Sequence, residues 1–306
     1  MTETTSDTIA ETIDHRAPYR VRHELHRRLL TVRQVQRLSP HMIRITLGGD
    51  DLEGFTSLGF DDNVKLNFAD PATGQTALST DGPRPPMRDY TPRHFDDHIK
   101  LIFADPATGA LPSTTDGPRP PMRDYTPRHF DAVAQTLEID FALHDAGPAT
   151  QWAEQATPGQ QIGVGGPRGS MVIPMAFDGY LLVGDDTALP AIARRLAELP
   201  ADAPVVVLAE VDSPADELVF DTAANVQLTW VHRRGAAPGT TMLLLDAIQT
   251  LALPAGDFHA WVACETGAAK ALRAHLVAER GARPEWTKAA GYWRLGSADS
   301  HDTHSD

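Results

Sequence analysis

A segment of 35 residues occurs twice in tandem: residues 60–94 are repeated at 95–129 with eight positions differing. The nonapeptide Arg-Asp-Tyr-Thr-Pro-Arg-His-Phe-Asp stands unchanged at Arg88–Asp96 and Arg123–Asp131. Two copies are too few for a solenoid, which needs about three units before stacking buries a core. Each unit holds a strand-like apolar run (Val64–Phe68, Ile99–Phe103), a Pro/Gly-rich loop and the dense polar motif. The repeat is therefore a functional segment duplicated in place, and only one copy can fill a given site.

An extended Arg-x-Tyr-Thr puts Arg and Tyr on one face and Thr on the other. A guanidinium fork suits a phosphate, and a phenol ring suits stacking on a flat heterocycle. An Arg and a Tyr side by side on a barrel face, with a proline ending the strand, is the other reading of the tetrapeptide alone.

The 306 residues suffice for about two domains. No apolar run approaches the length of a membrane span. The polar, acidic start, residues 1–14, lacks the apolar stretch of a secretory signal. A single cysteine, Cys264, excludes an internal disulfide, and a cytoplasmic location is expected. The net charge of −14 argues against nucleic-acid binding. The 13 histidines are scattered without ligand spacing, so no protein-ligated metal is expected.

After a basic run, residues 15–28, short alternating strands are expected around 30–38, 42–49, 64–68 or 99–103, 137–144 and 160–173. Short strands with turn signals and few helices suggest a small antiparallel barrel. One helix is expected at Gly147–Gln155, with Pro148 early and Thr150 near its start, offering open N–H groups to an anion or serving only as a connector. Beyond Pro174 apolar strands alternate with helices, which argues a parallel sheet with crossover helices. Ligands of such sheets bind past the strand C-termini, here Gly184–Thr187, Glu210–Asp212, His232–Arg234 and Cys264–Gly267. Gly-Asp-Asp-Thr-Ala-Leu-Pro at 184–190 is only a weak dinucleotide fingerprint.

Taken together, Arg-Asp-Tyr-Thr-Pro-Arg, Leu-His-Asp-Ala-Gly-Pro-Ala-Thr-Gln-Trp-Ala (143–153), Gly-Gly-Pro-Arg-Gly-Ser (165–170), Leu-Leu-Val-Gly-Asp-Asp-Thr-Ala-Leu-Pro-Ala-Ile (181–192), Val-Ala-Cys-Glu-Thr-Gly (262–267) and Lys-Ala-Ala-Gly-Tyr-Trp-Arg (288–294) resemble the siderophore-interacting protein family. The likeness runs from about Leu29 to Gly296. It implies a ferredoxin reductase-like fold: an antiparallel six-stranded flavin-binding barrel followed by a Rossmann-like parallel-sheet nucleotide-binding domain. The expected boundaries are a disordered basic arm at 1–28, the barrel at 29–176, the α/β domain at 177–296 and a disordered tail at 297–306.

By the same resemblance, Arg123, Tyr125 and Thr126, or their twins Arg88, Tyr90 and Thr91, hold FAD. His144, Gly147, Ala149 and Thr150 continue the flavin site. Asp185, Thr187 and Ala188 border the nicotinamide nucleotide, with Arg233 or Arg234 as a clamp for a 2′-phosphate. Glu265 marks the siderophore-interacting branch, and Lys288, Tyr292 and Trp293 close over the flavin. Lys100 or Lys65, with Arg168 and Arg294, forms a basic pocket for an anionic chelate. No side chain need act as acid, base or nucleophile, because the cofactor carries the redox chemistry.

The implied activity is NAD(P)H-dependent reduction of ferric siderophore through FAD, by a monomer, with a ferredoxin as another conceivable electron donor. Two rivals stand beside it: a siderophore or flavin carrier without turnover, and a ferredoxin-type reductase with a protein partner.

The duplication departs from the family pattern, in which the segment occurs once. Removing Asp61–Phe95 leaves an uninterrupted member. The second copy is expected to occupy the site, because Ile102 is more apolar than Asn67 and this copy leads directly into residues 137–143. The spare Asp61–Phe95 is then an exposed loop or a competitor for the same slot.

Overall fold

The computed structural model describes residues 15–67, 123–144, 147–296 and 302–304. The first half contains β1 (Tyr19–Arg22), β2 (Arg27–Ser39), β3 (Met42–Gly48), β4 (Val64–Asn67), β5 (Arg123–Tyr125), β6 (His129–Asp131), β7 (Thr136–Ala142), α1 (Pro148–Gln155), β8 (Gln161–Gly165) and β9 (Gly169–Val172). Seven of these strands form an antiparallel curled sheet in the order β5-β4-β8-β2-β3-β7-β6. Its two edges, β5 and β6, are halves of one motif separated only by Thr126, Pro127 and Arg128. The alternation visible in the sequence puts Leu30, Val32, Ile43, Ile45, Leu47, Val64, Leu66, Leu137, Ile139, Ile162 and Val164 into one core.

The repeat is used in a way the expectation above did not foresee. The strand comes from the first copy and the motif from the second: Val64 faces Tyr125, Lys65 faces Asp124 and Leu66 faces Arg123. Phe60, Asp61, Asp62, Val64 and Leu66 are buried, so the stretch from Asp61 to Asn67 is part of the fold and not a spare loop. Physically, Phe60, Asp61, Asp62, Lys65 and Leu66 have identical twins in the second copy, so side-chain chemistry barely separates the two. Direct chain continuity from β3 then favours the nearer strand. Arg88, Tyr90, Thr91 and Lys100 lie outside the described residues.

The basic arm also departs from expectation. β1 pairs antiparallel with β9, Tyr19 opposite Val172. Arg16 reaches Asp257 at 2.7 Å, and the buried Arg28 donates to the Gly166 carbonyl at 2.9 Å. Backbone pairing and sequence-distant acceptors order a run whose composition reads as solvated.

The second half contains β10 (Gly179–Gly184), α2 (Leu189–Glu198), β11 (Pro204–Val211), β12 (Asn225–His232), α3 (Leu243–Thr250), β13 (Phe258–Glu265), α4 (Thr266–Glu279), β14 (Thr287–Trp293) and β15 (Asp302–His304). The sheet order is β12-β11-β10-β13-β14-β15, parallel throughout except for β15. β15 replaces part of the tail expected to be disordered. β10, β11 and β13 are buried along nearly their whole length because helices cover both faces. The chain builds outward from β10 to β12 and then returns to the other side of β10 with β13, so the topological switch lies between β10 and β13. Gly184 ends β10 where a Cβ would collide with Ala188, which lets the following turn press against the strand. Among the described residues, no helix is long and apolar enough to cross a membrane.

Candidate cofactor site at the domain junction

On the curled-sheet side, β5 and β4 bring Lys65 and Asp124 into register, with Lys65 Nζ 2.5 Å from Asp124 Oδ1. The Tyr125 ring packs 4.5 Å from that of Phe141, which lies 5.7 Å from Trp152 on α1. Burial pushes the Tyr125 hydroxyl pKa up, keeping it neutral. Thr126 is buried beside the hydroxyl of Tyr292 of β14. Pro127 offers its carbonyl to Arg194 of α2 at 2.9 Å, and the same guanidinium binds Ser57 Oγ and the Ser57 carbonyl, each at 2.8 Å.

α1 begins at Gly147, which has no side chain to cap it, and its first turn holds no acidic residue. Its leading N–H groups are thus available to an anion. Ala149 is buried and Thr150 half-buried in that turn.

On the α/β side, three buried carboxylates gather at the strand ends: Asp185, Asp186 and Glu210. Asp185 accepts from the Thr187 amide and hydroxyl and, at 2.8 Å, from the Trp293 indole. Asp186 accepts from Arg233 at 2.8 Å, and Arg233 lies 3.5 Å from Glu210. Burial and the neighbouring Asp186 charge push the Asp185 pKa up to about 6. Burial and Asp185 push that of Glu210 up as well. His144 stacks on Trp293 at 6.2 Å, and its Nε2 is 3.5 Å from Asp186. That nitrogen is buried without a hydrogen-bond partner among the described residues.

The structure therefore brings together Tyr125 with Thr126 and Tyr292, and His144 with Trp293, Asp185 and Thr187. Other expected residues have different partners. Arg233 is buried in a carboxylate pair, leaving the exposed Arg234 on the adjacent turn. Glu265 caps α4 through the Gly267 and Ala268 amides. Ala188 is packed against Gly184. Lys288 pairs with Asp61 at 2.5 Å. In the expected basic trio, Lys65 stands opposite Gly165, three residues before the exposed Arg168, while the exposed Arg294 follows β14.

Sequence reasoning missed Asp61 and Arg194, and it gave no individual role to Asp186 and Glu210, which lie in the strand ends it singled out. The adjacent Asp185-Asp186, and the Arg194-Arg195 pair inside an apolar helix pattern, were the available signals.

His41, Asp212 and Asp216 also approach within 4.8 Å of one another across the domains. Asp216 binds Ser39, Ser213, the His41 backbone amide and His41 Nδ1, so protein groups already occupy it.

The fold and junction define a two-domain assembly similar to ferredoxin reductase-like proteins. A ferredoxin reductase of carbazole 1,9a-dioxygenase, 13% identical, superposes with a TM-score of 0.55 over 85% of this chain and 66% of that one. The siderophore-interacting protein profile matches residues 177–296. The siderophore-interacting FAD-binding domain profile matches twice, at 31–105 and 90–171, one match for each copy of the repeat. An NADPH-dependent ferric-chelate reductase of Escherichia coli is 35% identical over 91% of this chain and 97% of its own. A siderophore utilization protein from T. fusca is 40% identical, with a TM-score of 0.76 over 93% of this chain and 99% of that one. The chain belongs to the siderophore-interacting protein family.

Proposed function

We propose that this protein is an NAD(P)H-dependent, FAD-containing ferric-siderophore reductase. The observation that carries the reading is the seam in which Tyr125 and Thr126 of the curled sheet meet Tyr292 and Trp293 of the parallel sheet beside an uncapped helix start. Arg123 and the first turn of α1, with Gly147, Ala149 and Thr150, are the proposed phosphate contacts. Tyr125 supplies a flat, neutral ring, and His144, with its unmatched Nε2, a polar contact. Arg194, bound to Ser57 and to the Pro127 carbonyl just past Thr126, holds the two domains in register at that seam. Reading β5 and β6 as one bent strand gives the flavin domain six strands, with boundaries near 29–176 and 177–296.

Bound FAD supplies the conversion of a hydride's electron pair into single electrons. The chain's own residues bind, orient and exclude water. Asp185 and Thr187 border the nicotinamide nucleotide. Arg234, being exposed, is the better candidate for its 2′-phosphate, since Arg233 is bound to Asp186 and Glu210. Lys65, Arg168 and Arg294 supply positive charge to an anionic ferric chelate on an otherwise acidic protein. Lys65 is partly neutralised by Asp124, and Arg168 and Arg294 are the more exposed of the three. A monomer in the cytoplasm, accepting electrons from NAD(P)H or a reduced ferredoxin, completes the reading.

The test is anaerobic steady-state turnover, with ferrous iron trapped by a ferrous-selective chelator. Iron release that requires both the reductant and flavin-loaded protein supports a reductase. Tight chelate binding with no ferrous product supports a carrier instead.

A further inference from the structure

A cavity of about 440 Å³ opens between the N-terminal arm, the loop before β4, the connector after β9 and the end of α2. This is the size of a small-molecule pocket, for which about 300–1,000 Å³ is typical. It shares no lining residue with the cofactor or chelate residues above. Its mouth exposes three large apolar side chains, Tyr19, Leu58 and Met175, at 56%, 49% and 44%. Such clustered exposure marks a binding surface more often than chance packing.

Arg195 lines this cavity and is only 2% exposed. Its guanidinium lies 5.0 Å from the centres of both the Phe60 and Tyr180 rings. It donates to the Ile173 carbonyl at a long 3.5 Å, and its Nε has no hydrogen-bond partner. Among the described residues no carboxylate stands within ion-pair distance of it, whereas neighbouring Arg194 holds Glu198 at 2.7 Å. Glu198 and Asp61 favour its charge from further off, but a buried cation with two aromatic faces and no direct ion pair is costly unless something anionic joins it.

We propose that this cavity binds an apolar monocarboxylate, its carboxylate on Arg195 and its hydrocarbon part between Tyr19, Leu58 and Met175. A planar carboxylate matches the fork geometry of a guanidinium. A second negative charge is disfavoured, because Glu198 also lines the cavity and the remaining walls are largely apolar.

The experiment is calorimetric titration of the purified full-length protein with sodium octanoate and, separately, with 1-octanol. The expected result is saturable octanoate binding at one site, at least about tenfold tighter than octanol. Arg195→Met should erase that preference. Met175→Glu, a change at an exposed position, should weaken octanoate by about tenfold or more with the melting temperature and flavin content unchanged. Octanoate that fails to bind, binds no better than octanol, or ignores Met175→Glu overturns the proposal. If Arg195→Met does not fold, the Met175→Glu comparison decides alone.

Discussion

Lys288 Nζ lies 2.5 Å from Asp61 Oδ2, tying the first strand after α4 to the opening residues of the tandem repeat. Trp261 donates to the same carboxylate at 3.0 Å. Burial opposes the Asp61 charge, but the Lys288 ammonium and these hydrogen bonds hold its pKa below the usual range. In this contact the carboxylate comes from the first copy, the one that supplies the strand. Asp61→Asn is expected to cost about 1–3 kcal/mol, since it strands a partly buried ammonium. Asp96→Asn, at the twin position, should leave the melting temperature unchanged. Equal losses in the two variants would contradict the assignment.

Excising residues 68–102 joins Asn67 to Phe103 and leaves one intact repeat unit. The shortened chain keeps β4, β5 and every contact of Asp61. It should fold with undiminished flavin content and a melting temperature at or above that of the full chain, because a shorter connection between two paired strands lowers the closure entropy cost. Loss of the chromophore in the deletion would show that the extra segment serves the site.

Arg194 joins α2 to both Ser57 and the Pro127 carbonyl just past Thr126. Arg194→Ala leaves those acceptors without their donor and should cost about 2–4 kcal/mol. It should also weaken flavin retention, because Pro127 follows the Tyr-Thr step. Thermal melting and bound-flavin absorbance check both effects, with Arg194→Lys expected to fall between.

His259 is buried, and burial together with Arg195 and Lys288 pushes its pKa down to about 3. A depressed folded-state value means the stabilisation is full above the unfolded value near 6.5 and drains away as pH falls toward 3. This group alone should remove about 2 kcal/mol by pH 5. His259→Gln should flatten the fall in melting temperature between pH 6.5 and 4.5. An unchanged slope would show that another group controls acid unfolding.

Asp185 works in the opposite sense. Its folded pKa, about 6, lies above the unfolded one, so its contribution is present below the ordinary carboxylate range and is lost as pH rises through 6. Asp185→Asn should therefore gain stability relative to wild type as pH climbs from 4 to 7, by roughly 1–3 kcal/mol. Melting curves at closely spaced pH values give the sign directly.

Much of this architecture is legible in the sequence. Period-two burial in β3 and β7 and the buried runs of β10, β11 and β13 announce one antiparallel and one parallel sheet. The helix after Gly147 follows from its proline and small residues. Three features are not legible, each for a stated reason. Near-identical copies of a strand cannot be ranked by side-chain chemistry when Asp61, Lys65 and Leu66 all have twins, so covalent proximity decides. The arm around β1 is ordered by partners such as Asp257, far away in sequence. The roles of Arg233 and Lys288 depend on which carboxylates the fold delivers to them, and a guanidinium seen only as a free cation in the sequence turns out to be bound to Asp186 and Glu210.

The most direct measurement of the central claim is the visible spectrum of the purified protein under anaerobic conditions, before and after NADPH and again after a ferric siderophore is added. The account predicts a yellow protein that bleaches with the nucleotide and regains its colour as ferrous iron appears. A colourless preparation that takes up no added FAD, or a yellow one whose reduced form ignores the ferric chelate, would contradict it.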